Sequence, residues 1–148
     1  MSTDLYQQVI LDHAKKPRNF GVLADQTHKA EGFNPLCGDH LWVYLKIDAD
    51  GHIEELTFQG DGCAISRASA SMMTQSVKGK TIAEAQKLFT EFHKLVVGEL
   101  KPDSQPHNLG KLAIFSGIWQ YPSRVKCAAL AWHTLNGALK HDATVTTE

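Results

Sequence analysis

An alternating run of residues followed by a turn is the feature that most constrains the fold of this chain. Across residues 41–47 the apolar side chains Leu, Val, Leu and Ile alternate with Trp, Tyr and Lys. This period of two is typical of a strand with one buried face. The turn sequence Asp48-Ala49-Asp50-Gly51 and a second strand-like segment, residues 53–58, follow directly. The pattern therefore predicts a β-hairpin.

In much of the remaining chain, apolar residues recur at helical spacing and predict helices. Residues 22–39 show no period and are predicted to form a long loop, and the polar tail, residues 141–148, is predicted to fray. One helix, two antiparallel strands and then further helices indicate an α+β fold with helices packed on one face of a small sheet. The helices are expected to begin near Leu5, Ser66, Thr81, Leu109 and Ser123.

Length and charge exclude several classes of protein. The 148 residues suit a single domain, residues 1–148. Fifteen basic residues against sixteen acidic ones give a net charge of −1, so we expect neither nucleic acid nor an anionic membrane as a partner. No segment reaches the roughly 18 apolar residues of a membrane span. The first residues lack the pattern of a secretory signal. These features together predict a protein of the reducing cytoplasm.

Three cysteines are the chemically informative residues, and all three lie outside the apolar stripes. Cys37 lies in a glycine-containing loop just before the first predicted strand. Cys63 lies between a strand end and a helix start, and Cys127 is predicted in the first turn of the last helix. Helix N-termini favour thiolates. Asp39 follows Cys37 by two positions, and three thiolates with one carboxylate suit tetrahedral zinc or an iron–sulfur cluster.

The residues alone leave the fourth ligand open. Asp61, two positions before a cysteine, competes with Asp39, whereas strand alternation predicts that His40 points away from the site. Four anionic ligands around a divalent ion carry excess negative charge. Arg124 and Lys126 flank the third cysteine and are the candidates to offset it.

Three segments, taken together, resemble the cysteine motifs of the U-type iron–sulfur assembly proteins, the SufU/IscU/NifU N-terminal family. The similarity runs from about Leu5 to Leu139. It implies a compact α+β fold with a three-stranded antiparallel sheet and helices on one face. It also implies that Cys37, Asp39, Cys63 and Cys127 bind the metal, which favours Asp39 over Asp61. The segments are Asn34-Pro35-Leu36-Cys37-Gly38-Asp39, Gly60-Asp61-Gly62-Cys63-Ala64-Ile65-Ser66 with Ser69-Ala70-Ser71-Met72-Met73, and Arg124-Val125-Lys126-Cys127-Ala128-Ala129-Leu130-Ala131-Trp132.

Three features are similar to the SufU branch of that family. Scaffold members usually carry histidine before the third cysteine, where this chain has Lys126. Their proline-containing chaperone motif is replaced by Tyr121-Pro122-Ser123-Arg124, and residues 101–122 resemble the helical insertion of SufU proteins.

The SufU resemblance implies a zinc-dependent sulfurtransferase. Such a protein accepts persulfide sulfur from a SufS-like cysteine desulfurase and passes it to a downstream scaffold complex. In this interpretation Cys37 is released from the metal to accept sulfur, and Arg124 compensates charge or orients Asp39 or the persulfide. The alternatives are a scaffold that assembles a [2Fe–2S] cluster with iron at the same ligands, and a binding domain with structural zinc. A papain-like cysteine hydrolase is disfavoured, because it gives no reason for three equivalent cysteines.

Overall fold

A four-stranded mixed sheet forms the centre of the computed structural model, which describes residues 3–146. The strands are β1 (His28–Asn34), β2 (Asp39–Ile47), β3 (Ile53–Asp61) and β4 (Thr144–Thr146). Their order is β3-β2-β1-β4, with β1, β2 and β3 antiparallel and β4 parallel to β1. The α+β class is confirmed, and the expected three antiparallel strands are corrected to four mixed strands.

Four α-helices and one 3-10 helix complete the described chain. Thr81 begins its helix as predicted, with a capping box in which its hydroxyl accepts from the Glu84 N–H and Glu84 accepts from the Thr81 N–H. The segment expected as a short helix near Leu109 is the 3-10 helix. The helices are α1 (Thr3–Lys15), α2 (Ala64–Val77), α3 (Ile82–Val96), the 3-10 helix (Gly110–Gln120) and α4 (Pro122–Leu139).

The core lies between the sheet and the helices. Leu41, Val43 and Leu45 of β2 are fully buried on one face, and Trp132 of α4 stacks on Phe92 of α3 with ring centroids 4.7 Å apart. Burying each such side chain contributes about 1.5–3 kcal/mol. The apolar residues of the alternating run therefore lie on the face of β2 that the helices cover, as the sequence predicts.

Strand β1 lies inside the segment that was predicted to be a loop. Its inward-facing residues are Ala30, Gly32 and Asn34, which are small or polar and leave no hydrophobic alternation in the sequence. A Cβ atom at Gly32 would overlap the Thr134 hydroxyl of α4, so glycine lets the helix approach the strand closely.

The C-terminal tail was predicted to fray, yet its residues Thr144–Thr146 form β4. The N–H of Glu31 donates to the carbonyl of Ala143 at 2.9 Å, and Val145 packs against Gly137. This segment forms a strand because its backbone pairs with β1, since its side chains show no strand pattern in the sequence. Residues 147 and 148, also part of the predicted tail, lie outside the described chain.

Two predicted helix starts are displaced. Helix α2 begins at Ala64, with Cys63 rather than Ser66 as its N-cap, and α4 begins at Pro122 rather than at Ser123. Proline is favoured at the first helical position because its missing N–H has no helical partner there. Cys127 consequently lies in the second turn of α4 and not in the first.

Candidate metal centre

The turn between β1 and β2 carries Cys37. The Cys37 N–H donates to the carbonyl of Asn34 at 3.3 Å, and Gly38 has a φ of 72°, which closes the turn. Asn34 and Asp39 then face each other as the last pair of the β1–β2 ladder. Cys37 is exposed, so this thiol is presented to solvent.

Asp39, the first residue of β2, is only 2% exposed. Its Oδ1 accepts from the backbone N–H of Cys63 at 2.8 Å, and its Oδ2 accepts from the Asn34 amide at 3.1 Å. Both carboxylate oxygens are therefore held by hydrogen bonds. Gly62 makes room for this arrangement, since a Cβ there would lie 2.8 Å from Oδ1.

Cys63 caps the N-terminus of α2. Its Sγ accepts the backbone N–H of Ser66 at 3.4 Å, in the role that a serine or aspartate oxygen usually takes. Hydrogen bonding from Cys127 lowers the pKa of the Cys63 thiol, against the opposing effect of burial. The helix N-terminus thus supports a thiolate at this position.

Cys127 is the buried member of the cluster, with 3% of its surface exposed. Its Sγ lies 3.2 Å from the Sγ of Cys37 and 3.5 Å from Nδ2 of Asn34. Its hydrogen bond with Cys63, followed by burial and the contact with Cys37, raises the pKa of the Cys127 thiol.

Ligand atoms of Cys37, Asp39 and Cys127 all lie within 4.8 Å of one another. Cys63 is not part of that mutual set, but its backbone N–H donates to Asp39 Oδ1 at 2.8 Å. The structure therefore brings three of the four predicted ligands together and places the fourth, Cys63, next to Asp39. Three sulfur donors and one carboxylate oxygen suit a divalent cation that accepts soft and hard ligands, as zinc and iron do.

Two buried oxygen atoms beside the cluster have no hydrogen-bond partner in the described chain: Oδ1 of Asn34 and Oγ of Ser66. Both residues also contact the predicted ligands through other atoms. Unpaired buried polar atoms are uncommon in cores. These two atoms give the cluster polar surroundings, which agrees with its donor set.

Arg124 and Lys126 do not form an ion pair with Asp39 in the described part of the chain. Arg124 is exposed, and its guanidinium lies 4.4 Å from the centre of the Tyr121 ring. Its charge is nevertheless felt nearby: burial raises the pKa of Tyr6, Arg124 lowers it and Cys63 raises it further. Lys126 instead lines a cavity of about 330 Å³ together with residues of α3, α4 and β4.

The rival ligands lie away from the cluster. His40 points to the opposite face of the sheet, as predicted, where its Nε2 lies 2.6 Å from Glu31 Oε2 and its ring stacks on Phe33. Asp61 is exposed at the end of β3. The structure thus places Asp39 and not Asp61 beside the thiols.

Asn34 contacts the cluster directly, and sequence reasoning assigned it no role. The only signal was its position at the start of the Asn34-Pro35-Leu36-Cys37-Gly38-Asp39 segment. An asparagine before proline is a common turn residue, so the pattern alone did not separate a turn former from a residue that binds the ligands.

No helix among residues 3–146 is both long enough and apolar enough to cross a membrane.

Comparison with known proteins gives consistent matches. The model of the NifU-like N-terminal domain matches residues 5–128. The zinc-dependent sulfurtransferase SufU of Bacillus subtilis is 44% identical over 131 residues, which cover 88% of this chain and 86% of that protein. The iron–sulfur cluster assembly scaffold protein IscU of Streptococcus pyogenes is 40% identical over 139 residues, or 94% of this chain and 85% of that protein.

Solved structures agree with these matches. A crystal structure from Fervidobacterium islandicum, described as an iron–sulfur cluster assembly scaffold protein for the SUF system, superposes with a TM-score of 0.82 at 33% identity. The superposition covers 94% of this chain and 99% of that one. A further crystal structure, of a hypothetical protein, has a TM-score of 0.83 at 38% identity with the same coverage.

Proposed function

Because this chain belongs to the NifU-like N-terminal domain family of iron–sulfur cluster assembly proteins, we propose that it is a zinc-dependent sulfurtransferase. It accepts persulfide sulfur from a SufS-like cysteine desulfurase and passes it to the machinery that builds clusters. Cys37, Asp39, Cys63 and Cys127 form the zinc site, and Cys37 is the sulfur acceptor.

One observation carries this proposal: the four ligands differ sharply in exposure. Cys37 is exposed on a short turn, whereas Asp39 and Cys127 are 2% and 3% exposed and Cys63 caps a helix. A donor persulfide on another protein can approach Cys37 without unfolding any element. The other three residues are held in place by the sheet and the two helices.

Bound zinc would keep the sulfur ligands deprotonated and would supply no redox chemistry of its own. The transfer itself needs only the thiolate of Cys37. Its sulfur attacks the terminal sulfur of the donor persulfide, a new S–S bond forms, and the donor S–S bond breaks. The desulfurase cysteine leaves as a thiolate and Cys37 becomes a persulfide. One S–S bond replaces another, so no oxidant or reductant is required.

The turn that carries Cys37 suits this role. Exposed turns move at lower cost than packed helices, and Gly38 has no atom within 4 Å of its would-be Cβ. Arg124 is the candidate to attract the anionic persulfide, since it and Cys63 both shift the pKa of Tyr6. We therefore give Arg124 an electrostatic role in sulfur acceptance.

Zinc content and sulfur acceptance test the proposal together. The protein purified in air is expected to hold about one zinc per chain and to raise the turnover of a cysteine desulfurase. After reaction, mass spectrometry should find an additional sulfur on the Cys37 peptide. Protein without zinc, or desulfurase turnover that is unchanged on adding it, would overturn the proposal.

Names of several relatives support a second candidate, a scaffold that assembles a [2Fe–2S] cluster on the same ligands. Anaerobic reconstitution with iron, sulfide and desulfurase separates the two. A scaffold would gain cluster absorbance and pass the cluster to an apo-ferredoxin. A sulfurtransferase would show sulfur on Cys37 and no transferable cluster.

A further inference from the structure

Asn34 lies within the ligand cluster, and its side chain is 0% exposed. The amide Nδ2 donates to Asp39 Oδ2 at 3.1 Å and to Cys127 Sγ at 3.5 Å. A side-chain amide nitrogen has two hydrogens. Both donors of Asn34 are therefore directed at predicted metal ligands that come from different elements, β2 and α4.

The backbone of Asn34 contacts a third ligand. Its carbonyl accepts the N–H of Cys37 at 3.3 Å, which closes the turn that carries this thiol. Asn34 is also the ladder partner of Asp39. One residue at the end of β1 thus touches Cys37, Asp39 and Cys127.

An unpaired oxygen argues against a purely structural role. Oδ1 of Asn34 is buried and has no hydrogen-bond partner in the described chain, and an unsatisfied buried acceptor destabilises a fold. Thr134, another fully buried polar residue, satisfies its hydroxyl through the carbonyl of Leu130 at 2.7 Å. An apolar side chain at position 34 would avoid the cost, so the amide is explained best by its effect on the cluster.

Asp39 depends on this amide for its orientation. The N–H of Cys63 fixes Oδ1 at 2.8 Å, and Asn34 fixes Oδ2. The terminal torsion of an aspartate is broad, so one hydrogen bond would leave the carboxylate plane free to rotate about the bonded oxygen. The second bond, from Asn34, selects one orientation and ties it to Cys127.

We propose that Asn34 is a positioning residue that fixes the Asp39 carboxylate relative to Cys127 and thereby raises the affinity of the centre for a divalent cation. This inference deepens the proposed function, since it rests on the same metal centre. Hydrogen-bonded partners of metal ligands typically contribute 10-fold to 100-fold in metal affinity. Asn34 acts through the ligands and does not touch the transferred sulfur.

The test compares Asn34→Leu, which keeps a similar volume without donors, with Thr134→Val, which removes a buried hydroxyl away from the ligands. Zinc affinity is measured by competition with a chromophoric chelator. We expect Asn34→Leu to bind zinc about 10-fold to 100-fold more weakly and Thr134→Val to stay within twofold of the parent. Visible spectra of the cobalt-substituted proteins should change only for Asn34→Leu.

A second measurement needs no metal. The amide proton of Cys63 reports the position of Asp39, because Oδ1 accepts it. In the metal-free protein we expect its NMR resonance to move upfield in Asn34→Leu and to stay in place in Thr134→Val. If Asn34→Leu does not fold, Asn34→Ser, which keeps one shorter donor, should give an intermediate loss of zinc affinity and a smaller shift.

The inference is overturned if the position-34 variant keeps both its zinc affinity and its Cys63 resonance, or if Thr134→Val changes them as much. Neither measurement uses sulfur transfer. An absence of sulfur on Cys37 would thus refute the proposed function and leave the role of Asn34 intact. If the parent protein bound no zinc, the proposed centre would fail and the affinity claim for Asn34 with it, while the Cys63 resonance would still decide whether Asn34 positions Asp39.

Discussion

Cys37 and Cys127 have sulfur atoms 3.2 Å apart, but they belong to very different parts of the molecule. Cys37 is on an exposed turn that one backbone hydrogen bond to Asn34 closes. Cys127 is buried in α4, where the neighbouring carbonyl of Ala128 accepts a 2.6 Å hydrogen bond from Ser69 of α2. Two residues of one type therefore have opposite freedom to move.

The difference divides the site into two parts with separate tasks. The anchored part is the buried pair Asp39 and Cys127 with the half-buried Cys63. It keeps its geometry because changing it would disturb a strand end, a helix cap and a helix interface. The exposed part, Cys37, can change partner without such a disturbance. A site built this way can expose one reactive thiol and keep the other ligands in place.

The largest expected effect on sulfur transfer comes from exchanging the two cysteines for serine. Cys37→Ser should abolish sulfur acceptance and change the free energy of unfolding of the metal-free protein by less than about 0.5 kcal/mol, as is usual at exposed positions. Cys127→Ser should lose about 1–3 kcal/mol, because it buries a hydroxyl where a thiol was. Mass spectrometry and urea titrations measure both quantities. Equal loss of stability in the two variants would remove the distinction between the parts.

Metal removal should lower the stability of the whole protein but expose only Cys37 to reagents in solution. A chelator is expected to lower the free energy of unfolding by about 4 kcal/mol when zinc was present at a thousand times its Kd. In the native metal-free protein, alkylation by iodoacetamide should be fast at Cys37 and slow at Cys127, which is 3% exposed. Peptide mapping after a short reaction measures the ratio. Equal labelling would show that Cys127 is not protected by its packing.

Alanine substitutions at two glycines compare the packed sheet with the exposed turn that carries Cys37. Gly60, in β3, has a φ of 131° and a Cβ there would overlap the carbonyl of His40. Gly60→Ala should cost about 2–4 kcal/mol, since it adds a clash to backbone strain. Gly38→Ala, at a φ of 72° with open space around it, should cost about 1–2 kcal/mol. Thermal unfolding of the pair measures this, and a larger loss for Gly38→Ala would contradict the assignment of a free turn.

The smallest effect is expected for the exposed cation. In the desulfurase reaction, Arg124→Gln should raise the KM for this protein as sulfur acceptor by about twofold to fivefold and leave kcat and stability nearly unchanged. The reason is that an exposed charge acts by long-range attraction, which salt screens. Lys126→Gln is the matched control, since Lys126 lines a separate cavity. A change in kcat, or an effect that persists in high salt, would assign Arg124 a closer part in the reaction.

Local sequence signals predicted the hairpin and the helix at Thr81 well, because alternation, turn residues and an apolar stripe at helical spacing all arise between near neighbours in sequence. The same signals missed β1, whose inward residues Ala30, Gly32 and Asn34 have no apolar pattern. They also misplaced the start of α2, since cysteine is an unusual N-cap. Strand β4 was missed because pairing with β1, and not its own composition, makes it a strand.

By itself, the sequence determined which donor groups are available: three thiols, with a carboxylate two positions from each of the first two. These are properties of residue type and of short-range pattern. Tertiary structure alone decided that Cys37 is exposed and Cys127 buried, and that Asn34 holds Asp39 and Cys127 together. Those facts depend on contacts across separations of up to 93 residues, as between Asn34 and Cys127, which exist only once α4 has packed on β1.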